Sequence, residues 1–478
     1  MIGVGIYASR KSLSMTQFVV AGRGLPVWLC TSTIIATWYG SGTLLGSAGA
    51  AYEEGLLGVI ADPFGASLTL LLLGLFFVRL FRRLGILTVA DFMEQRYGTL
   101  AGVAITIAIM FSNIAWVGSM LVAFGVIFES MTGTPMLVGI VAGALVVFIY
   151  TAIGGMWAVV ITDFIQIIII AVGIVILFVV VLIDVGGFGA ILPKLDANTF
   201  RMLPLENTAE QWLDYARAWA ILGLADLSAQ SMIQRALAAR NEQVAQNSFY
   251  FAGAGYLLFA MMPVLLGIIA SVTMPQLGGV EQVIPALAIE HLHPIMVAIF
   301  VGAMLAAIMS SADSALLGIA SLVSNNLLPL IRPDAPDALR LLVARLTIPV
   351  CGIIAIFVAL EIRAVYDLML NANILLLATI IVPFIAGVWW KKANRTGALA
   401  SIAAGFLTWL GAMHWLPSMP ADLLGLLACL VTLLVVTPLT QTFDPPRQLA
   451  DSDGRPVDLT DRLGVLPVFR RMEDKDGA

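Results

Sequence analysis

The sequence predicts an all-α polytopic membrane protein whose core is two five-helix repeats of inverted topology, followed by additional C-terminal helices. Three observations predict it. Of 478 residues, 60% are hydrophobic and 12% charged, with a mean hydropathy of +0.98, against about 25% charged residues in soluble domains. Twelve apolar runs each approach the roughly 20 residues that cross a bilayer as a helix. The first and sixth runs are the two with polar, glycine-broken centres: Ala-Thr-Trp-Tyr-Gly-Ser-Gly-Thr at 36–43, and Gly-Leu-Ala-Asp-Leu-Ser-Ala-Gln-Ser at 223–231. They lie five runs apart, an odd number, so the sixth crosses in the opposite direction to the first. Interrupted spans at matching positions of two halves mark the binding region of secondary transporters.

Residues 1–8 are too short to span and lack the charged start and cleavage site of a signal peptide. They read as the last turns of a helix whose beginning is absent from this chain, through a late start codon or a truncation; with the linker they make up 1–26. Runs at 27–50, 57–78, 101–127, 136–155 and 158–183 form the first repeat, 27–185, and 186–211 is an extracellular loop. Runs at 212–236, 247–273, 294–325, 341–362 and 366–390 form the second repeat, 212–390. Two extra helices, 396–415 and 421–440, occupy 391–440, and the tail 441–478 is rich in Asp, Arg and Pro.

Lys and Arg placement sets the expected orientation. With the segment before residue 27 in the cytoplasm, only Lys194, Arg201, Arg217 and Arg363 of the 25 basic residues fall outside, as the positive-inside rule requires. The expected location is the plasma membrane, multi-pass, with a cytoplasmic C-terminus. No basic run suits nucleic acid, and the lipid bilayer is the expected surroundings. Cys30, Cys351 and Cys429 sit in apolar runs as small core residues, and His291, His293 and His414 lie near span ends. No nucleophile–base set, paired carboxylates or transition-metal ligands of a membrane enzyme occur inside the bundle. A sensor built on a transporter-like fold normally carries a long signalling extension, and this tail has 38 residues.

The run Ala307-Ile-Met-Ser-Ser-Ala-Asp-Ser314 places hydroxyls and a carboxylate at membrane depth. Such groups face a protein interior or an aqueous path and often mark an ion or substrate route. The alternative is that Ser310 and Ser311 bond back to their own helix. Gly40 and Gly42 have an alternative as close-packing residues.

Several separate pieces in order resemble the sodium:solute symporter family, over about residues 3–415. They are Ala-Gly-Arg-Gly-Leu-Pro at 21–26, Thr-Val-Ala-Asp-Phe-Met-Glu-Gln-Arg-Tyr-Gly at 88–98, and Gly-Gly-Met-Trp-Ala-Val-Val-Ile-Thr-Asp at 154–163 with Gln166. Gln234-Arg235, Ala306 to Ser314, and Pro383 with Trp389, Trp390, Lys391 and Gly397-Ala398 complete the set. Members share the inverted repeat of the amino-acid transporter LeuT, and the match looks nearest to the branch containing high-affinity choline transporters. Members usually begin with one further complete helix, from which this chain departs.

The resemblance implies a sodium ion between the first and eighth spans, held by the carbonyls of Ala36, Tyr39 and Ala307 and the hydroxyls of Ser310 and Ser311. Five neutral oxygens suit a hard monovalent cation. Asp163 matches an acidic position on the sodium exit path; its alternative is an interfacial aspartate near a helix end. Trp38, Thr43, Trp219, Asp226 and Gln230 are the expected contacts of a small organic solute. Trp38 as a cation-π face and Asp226 as a counter-charge would suit an organic cation. The choline branch, however, has a tryptophan where this chain has Ala229, so the solute stays open. The expected function is sodium-coupled import of a small organic solute; a proton-coupled transporter using Asp163 or Asp226, and a non-transporting sensor, are the alternatives.

Overall fold

The computed structural model describes residues 2–362, 365–452, 454–457, 459 and 463. Arg363 and the tail from 464 onward lie outside the described residues. Among those described, the chain is helical, with two isolated backbone bridges in place of any sheet. Nine helices among the described residues are long and apolar enough to cross a membrane. Large apolar side chains such as Phe111, Phe357 and Leu407 remain exposed along them, as a lipid-facing surface requires. This is a multi-pass membrane protein.

The twelve expected runs map onto these helices with two physical complications. Spans one and six are broken, so neither forms one long helix. Span one is Val27–Trp38, a wide turn at Gly42–Gly46 and Ser47–Glu54. Span six is Ala209–Gly223, a short turn at Ala225–Ser228 and Gln230–Ala238. Runs four and five join as Met136–Asp184, 49 residues, which as a straight helix would reach about 74 Å. It is not straight: Gly155 adopts φ 57°, ψ −153°, a conformation open in practice to glycine alone. A Cβ there would also meet the Phe18 ring at 2.5 Å. On a continuous helix Tyr150 and Asp163 would stand about 20 Å apart, yet Tyr150 bonds Asp313 and Asp163 pairs with Arg235, which bonds the neighbouring Ser314. The chain therefore reverses at Gly155.

Two sets of ties divide the bundle at its arginine-rich end. Backbone bonds join Leu25, just before span one, to Ala238 at the end of span six and to Arg240 just after it, at 3.1 and 3.0 Å. Arg82 at the end of span two donates to the Ala239 carbonyl at 2.7 Å, and Arg23 donates to that of Gly85. Arg83 pairs with Glu242 at the start of span seven at 2.9 Å. Spans one, two, six and seven are thus laced together. The second set centres on a short helix, Val89–Tyr97, which is capped by Thr88 and Asp91 and is not a span. Asn325 and Asn326 of the eighth helical stretch, Pro294–Ile331, donate to Asp91, and Tyr97 donates to the Pro383 carbonyl of the tenth, Val365–Trp389, at 2.8 Å.

At the other end, the loop after span five crosses the broken span one, where the Leu56 amide donates to the Thr199 carbonyl at 2.9 Å. The two C-terminal helices, Arg395–Trp415 and Ala421–Thr440, approach closely because Gly405 and Gly425 face each other, a use of small residues common between membrane helices.

Candidate functional site

The break in span one creates the first feature. A helix would pair the Ala36 carbonyl with the Gly40 amide, but Gly40 turns to the Trp38 carbonyl at 2.7 Å. Tyr39 ends the helix at φ −74°, ψ 63°. The Ala36 carbonyl, released from the helical ladder, points across to span eight. There Ser310 donates to it at 3.0 Å and Ser311 at 3.3 Å, while Ser310 also reaches its own Ala307 carbonyl at 2.6 Å. Back-bonding and cross-bonding thus coexist at Ser310. Because each hydroxyl carries one hydrogen, Ser310 cannot satisfy both carbonyls at once, and the oxygens outnumber the hydrogens between them. Gly40 is required for the approach, since a Cβ would meet Ser311 Cβ at 3.0 Å. The structure therefore brings Ala36, Ala307, Ser310 and Ser311 together, with Tyr39 at the helix end beside Gly40.

One helical turn toward the arginine-rich end lies a buried ionic network. Arg235 has no exposed surface and donates to the carbonyls of Ser231 at 2.8 Å and Thr33 at 3.4 Å, and to the Ser314 hydroxyl. It pairs with Asp163 at 3.7 Å, and Thr33 donates to the same carboxylate oxygen. Tyr150 donates to Asp313 at 2.6 Å. Asp163 is fully buried and lies inside the protein against span one. The sequence marks Asp313 only as the carboxylate of the 307–314 run and gives Arg235 and Tyr150 no site role. An arginine in an apolar run, seven residues after the second break and fixed in the Gln234-Arg235 pair, was the available signal.

The second feature is a cavity between the two broken spans. Trp38 lines it from span one, Asp62 from span two, Asn113 and Trp116 from span three, Asp226 and Ser231 from span six, Tyr256 from span seven and Asn373 from span ten. Asp62 is buried; Tyr256 donates to it at 2.5 Å, and the hydroxyls of Thr43 and Ser47 lie within hydrogen-bond distance at 2.9 and 3.2 Å. Tyr256 also meets the Trp38 ring edge to face, centroids 5.9 Å apart. Asp226 sits on the short turn of span six, is 7% exposed, and its carboxylate accepts no hydrogen bond from any described residue.

Three expected solute contacts lie elsewhere. Trp219 packs on Tyr215, centroids 6.4 Å apart, in the outer half of span six and does not line the cavity. Thr43 stands behind Asp62 and bonds the Trp38 carbonyl at 3.0 Å. Gln230 is fully buried; its amide accepts from the Val89 amide at 2.8 Å and donates to Ser321 at 3.1 Å, so it pins the short helix to span eight. Sequence reasoning missed Asp62, although a lone carboxylate followed by Pro63 in an apolar run was itself a signal.

Against known proteins, the model of the sodium:solute symporter family matches residues 18–405. A high-affinity choline transporter of Caenorhabditis elegans is 30% identical over 87% of this chain and 77% of its own length. A sodium/glucose cotransporter of Vibrio parahaemolyticus is 26% identical over 97% and 92%. Among solved structures, a Na+-coupled sialic acid symporter in a substrate-bound, outward-open state superposes with a TM-score of 0.80 at 20% identity, covering 94% of this chain and 96% of its own. The fold is the LeuT-like 5+5 inverted repeat with additional C-terminal helices, and the relatives are transporters, not enzymes.

Proposed function

The chain belongs to the sodium:solute symporter family, and on that premise we propose that it imports a small organic solute by sodium-coupled alternating access. The observation that carries the proposal is the Ala36 carbonyl, freed by the break in span one and facing Ser310 and Ser311. Sodium occupies that position with the carbonyls of Ala36, Tyr39 and Ala307 and the two hydroxyls. A neutral shell binds the ion firmly enough to load and weakly enough to release. The ion bridges span one, which is laced to spans two, six and seven, and span eight, which is tied to the short helix 89–97; it locks one set against the other until it leaves. Asp163, a turn further in, lies on the exit path. The solute occupies the adjacent cavity, whose wall includes Trp38 between Ala36 and Tyr39 of the ion shell. The arginine-rich end faces the cytoplasm, as does the C-terminus, and the membrane is the plasma membrane.

The test is purified protein in proteoliposomes offered a panel of labelled solutes with and without an inward sodium gradient, at matched pH. Accumulation that needs sodium supports the reading. Accumulation driven equally by a proton gradient in sodium-free buffer overturns it.

A further inference from the structure

We infer that the solute is a small organic cation carrying N–H donors, a primary or secondary ammonium, with Asp226 as its direct partner. The inference rests on the cavity being the solute site of a transporter. It starts from charge: two carboxylates, Asp62 and Asp226, line the cavity, and no lysine or arginine does among the described residues. The two are not equivalent. Asp62 already has three hydroxyls within hydrogen-bond distance, with Tyr256 donating and Thr43 and Ser47 beside it. Asp226 accepts none, though more than nine-tenths buried and part of the cavity wall. A carboxylate this buried and without protein donors is costly to hold charged, and a cationic donor in the cavity would complete it.

The nature of the gap excludes other solutes. An anionic solute would add a third negative charge. A neutral polyol would supply donors but no charge. A quaternary ammonium would supply charge but present methyl groups to oxygens that need hydrogens, and such ions are held by aromatic cages. The wall carries three rings, Trp38, Trp116 and Tyr256, but Tyr256 meets Trp38 edge to face and turns its hydroxyl to Asp62, and span six contributes the small Ala229 beside Asp226, so the rings do not close around the one carboxylate that lacks donors. A protonated amine satisfies both requirements, giving two charge-assisted hydrogen bonds to Asp226, with the Ser231 hydroxyl on the same broken span as a further acceptor.

The experiment uses the purified full chain and two N-methylation series that differ only in N–H count: ethanolamine through its mono- and dimethyl derivatives to choline, and butylamine to butyltrimethylammonium. Binding is read as thermal stabilisation with and without sodium. In at least one series the primary amine is expected to bind tenfold or more tightly than the quaternary member. Asp226→Asn flattens that gradient and Asp226→Glu keeps it. A quaternary member binding as tightly as the primary amine, or no amine binding at all, overturns the inference. A steep gradient that ignores sodium leaves the inference standing and sinks sodium coupling; sodium-dependent stabilisation with a flat series does the reverse.

Discussion

The serine site and the solute cavity share Trp38's end of span one, yet they are built in opposite ways. The serine site comes from two short contiguous pieces, 36–40 and 307–311, and all its oxygens are neutral. The cavity draws between one and four residues from each of six spans and carries two carboxylates. The difference follows from the occupants. A sodium ion is a sphere that any set of oxygens at suitable spacing can hold, and two helices crossing at a break provide such a set. A solute has shape and polarity, so its site must converge on it from several directions.

The sharpest way to break the comparison is to remove the ion site alone. Ser310→Ala with Ser311→Ala should abolish sodium-driven accumulation while leaving the preference among amines in place. The structure adds a stability cost, because the buried Ala36 carbonyl loses both of its donors, about 1–3 kcal/mol. The protein should therefore remain folded at reduced melting temperature. Uptake and thermal unfolding of the same preparation separate the two effects, and sodium-dependent accumulation at the normal level would place the ion elsewhere.

The converse removal is Asp62→Asn. Three hydroxyls stand within hydrogen-bond distance of this carboxylate, and an amide keeps one acceptor while adding two donors that face them. Solute binding should fall at least tenfold and stability by about 1–3 kcal/mol, with sodium still altering tryptophan fluorescence. If the sodium response disappeared together with solute binding, the two sites would be one electrostatic unit and the contrast between them would fail.

That contrast also explains what could be read in advance. Hydrocarbon demands long apolar runs, so the runs mapped closely onto the helices, and a glycine-broken polar stretch inside a run exposed both interruptions. The serine site was legible because its pieces are contiguous. Asp62, Asn113, Tyr256 and Asn373 were not, because each is one polar residue in a different apolar run and only tertiary packing gathers them. Gln230 shows the opposite failure: it stands beside the break, yet Val89 and Ser321 use its amide. The short helix Val89–Tyr97 is invisible to a search for spans, since its capping by Thr88 and Asp91 is local and its neighbours hold it along the bundle's face.

A smaller effect belongs to Asp163→Asn. Removal of one partner of a buried ion pair is usually severe, but Arg235 keeps its bonds to the Ser231 and Thr33 carbonyls and to Ser314. Thr33 can also donate to the amide oxygen in place of the carboxylate. The apparent sodium affinity or the turnover should drop a few-fold, with protein abundance lowered less. Sodium dependence and rate both unchanged would take Asp163 off the ion's path and leave it as an anchor for Arg235.

The smallest expected effect is at Trp219, where sequence position and structure disagree. It lies on span six four residues before the Gly223 helix end, near enough in sequence to be counted with the solute contacts, but its ring meets Tyr215 and stays out of the cavity. Trp219→Phe retains an aromatic ring for that contact, so amine affinity and selectivity should stay within twofold of the parent. Trp38→Phe, one residue of the cavity wall, should instead weaken solute binding several-fold, since it removes part of the face that Tyr256 buttresses. Binding isotherms for the primary amine with both variants decide the matter. A loss at Trp219 as large as that at Trp38 would mean that the outer half of span six folds inward over the bound solute, and the cavity would then be larger than the wall formed by these six spans.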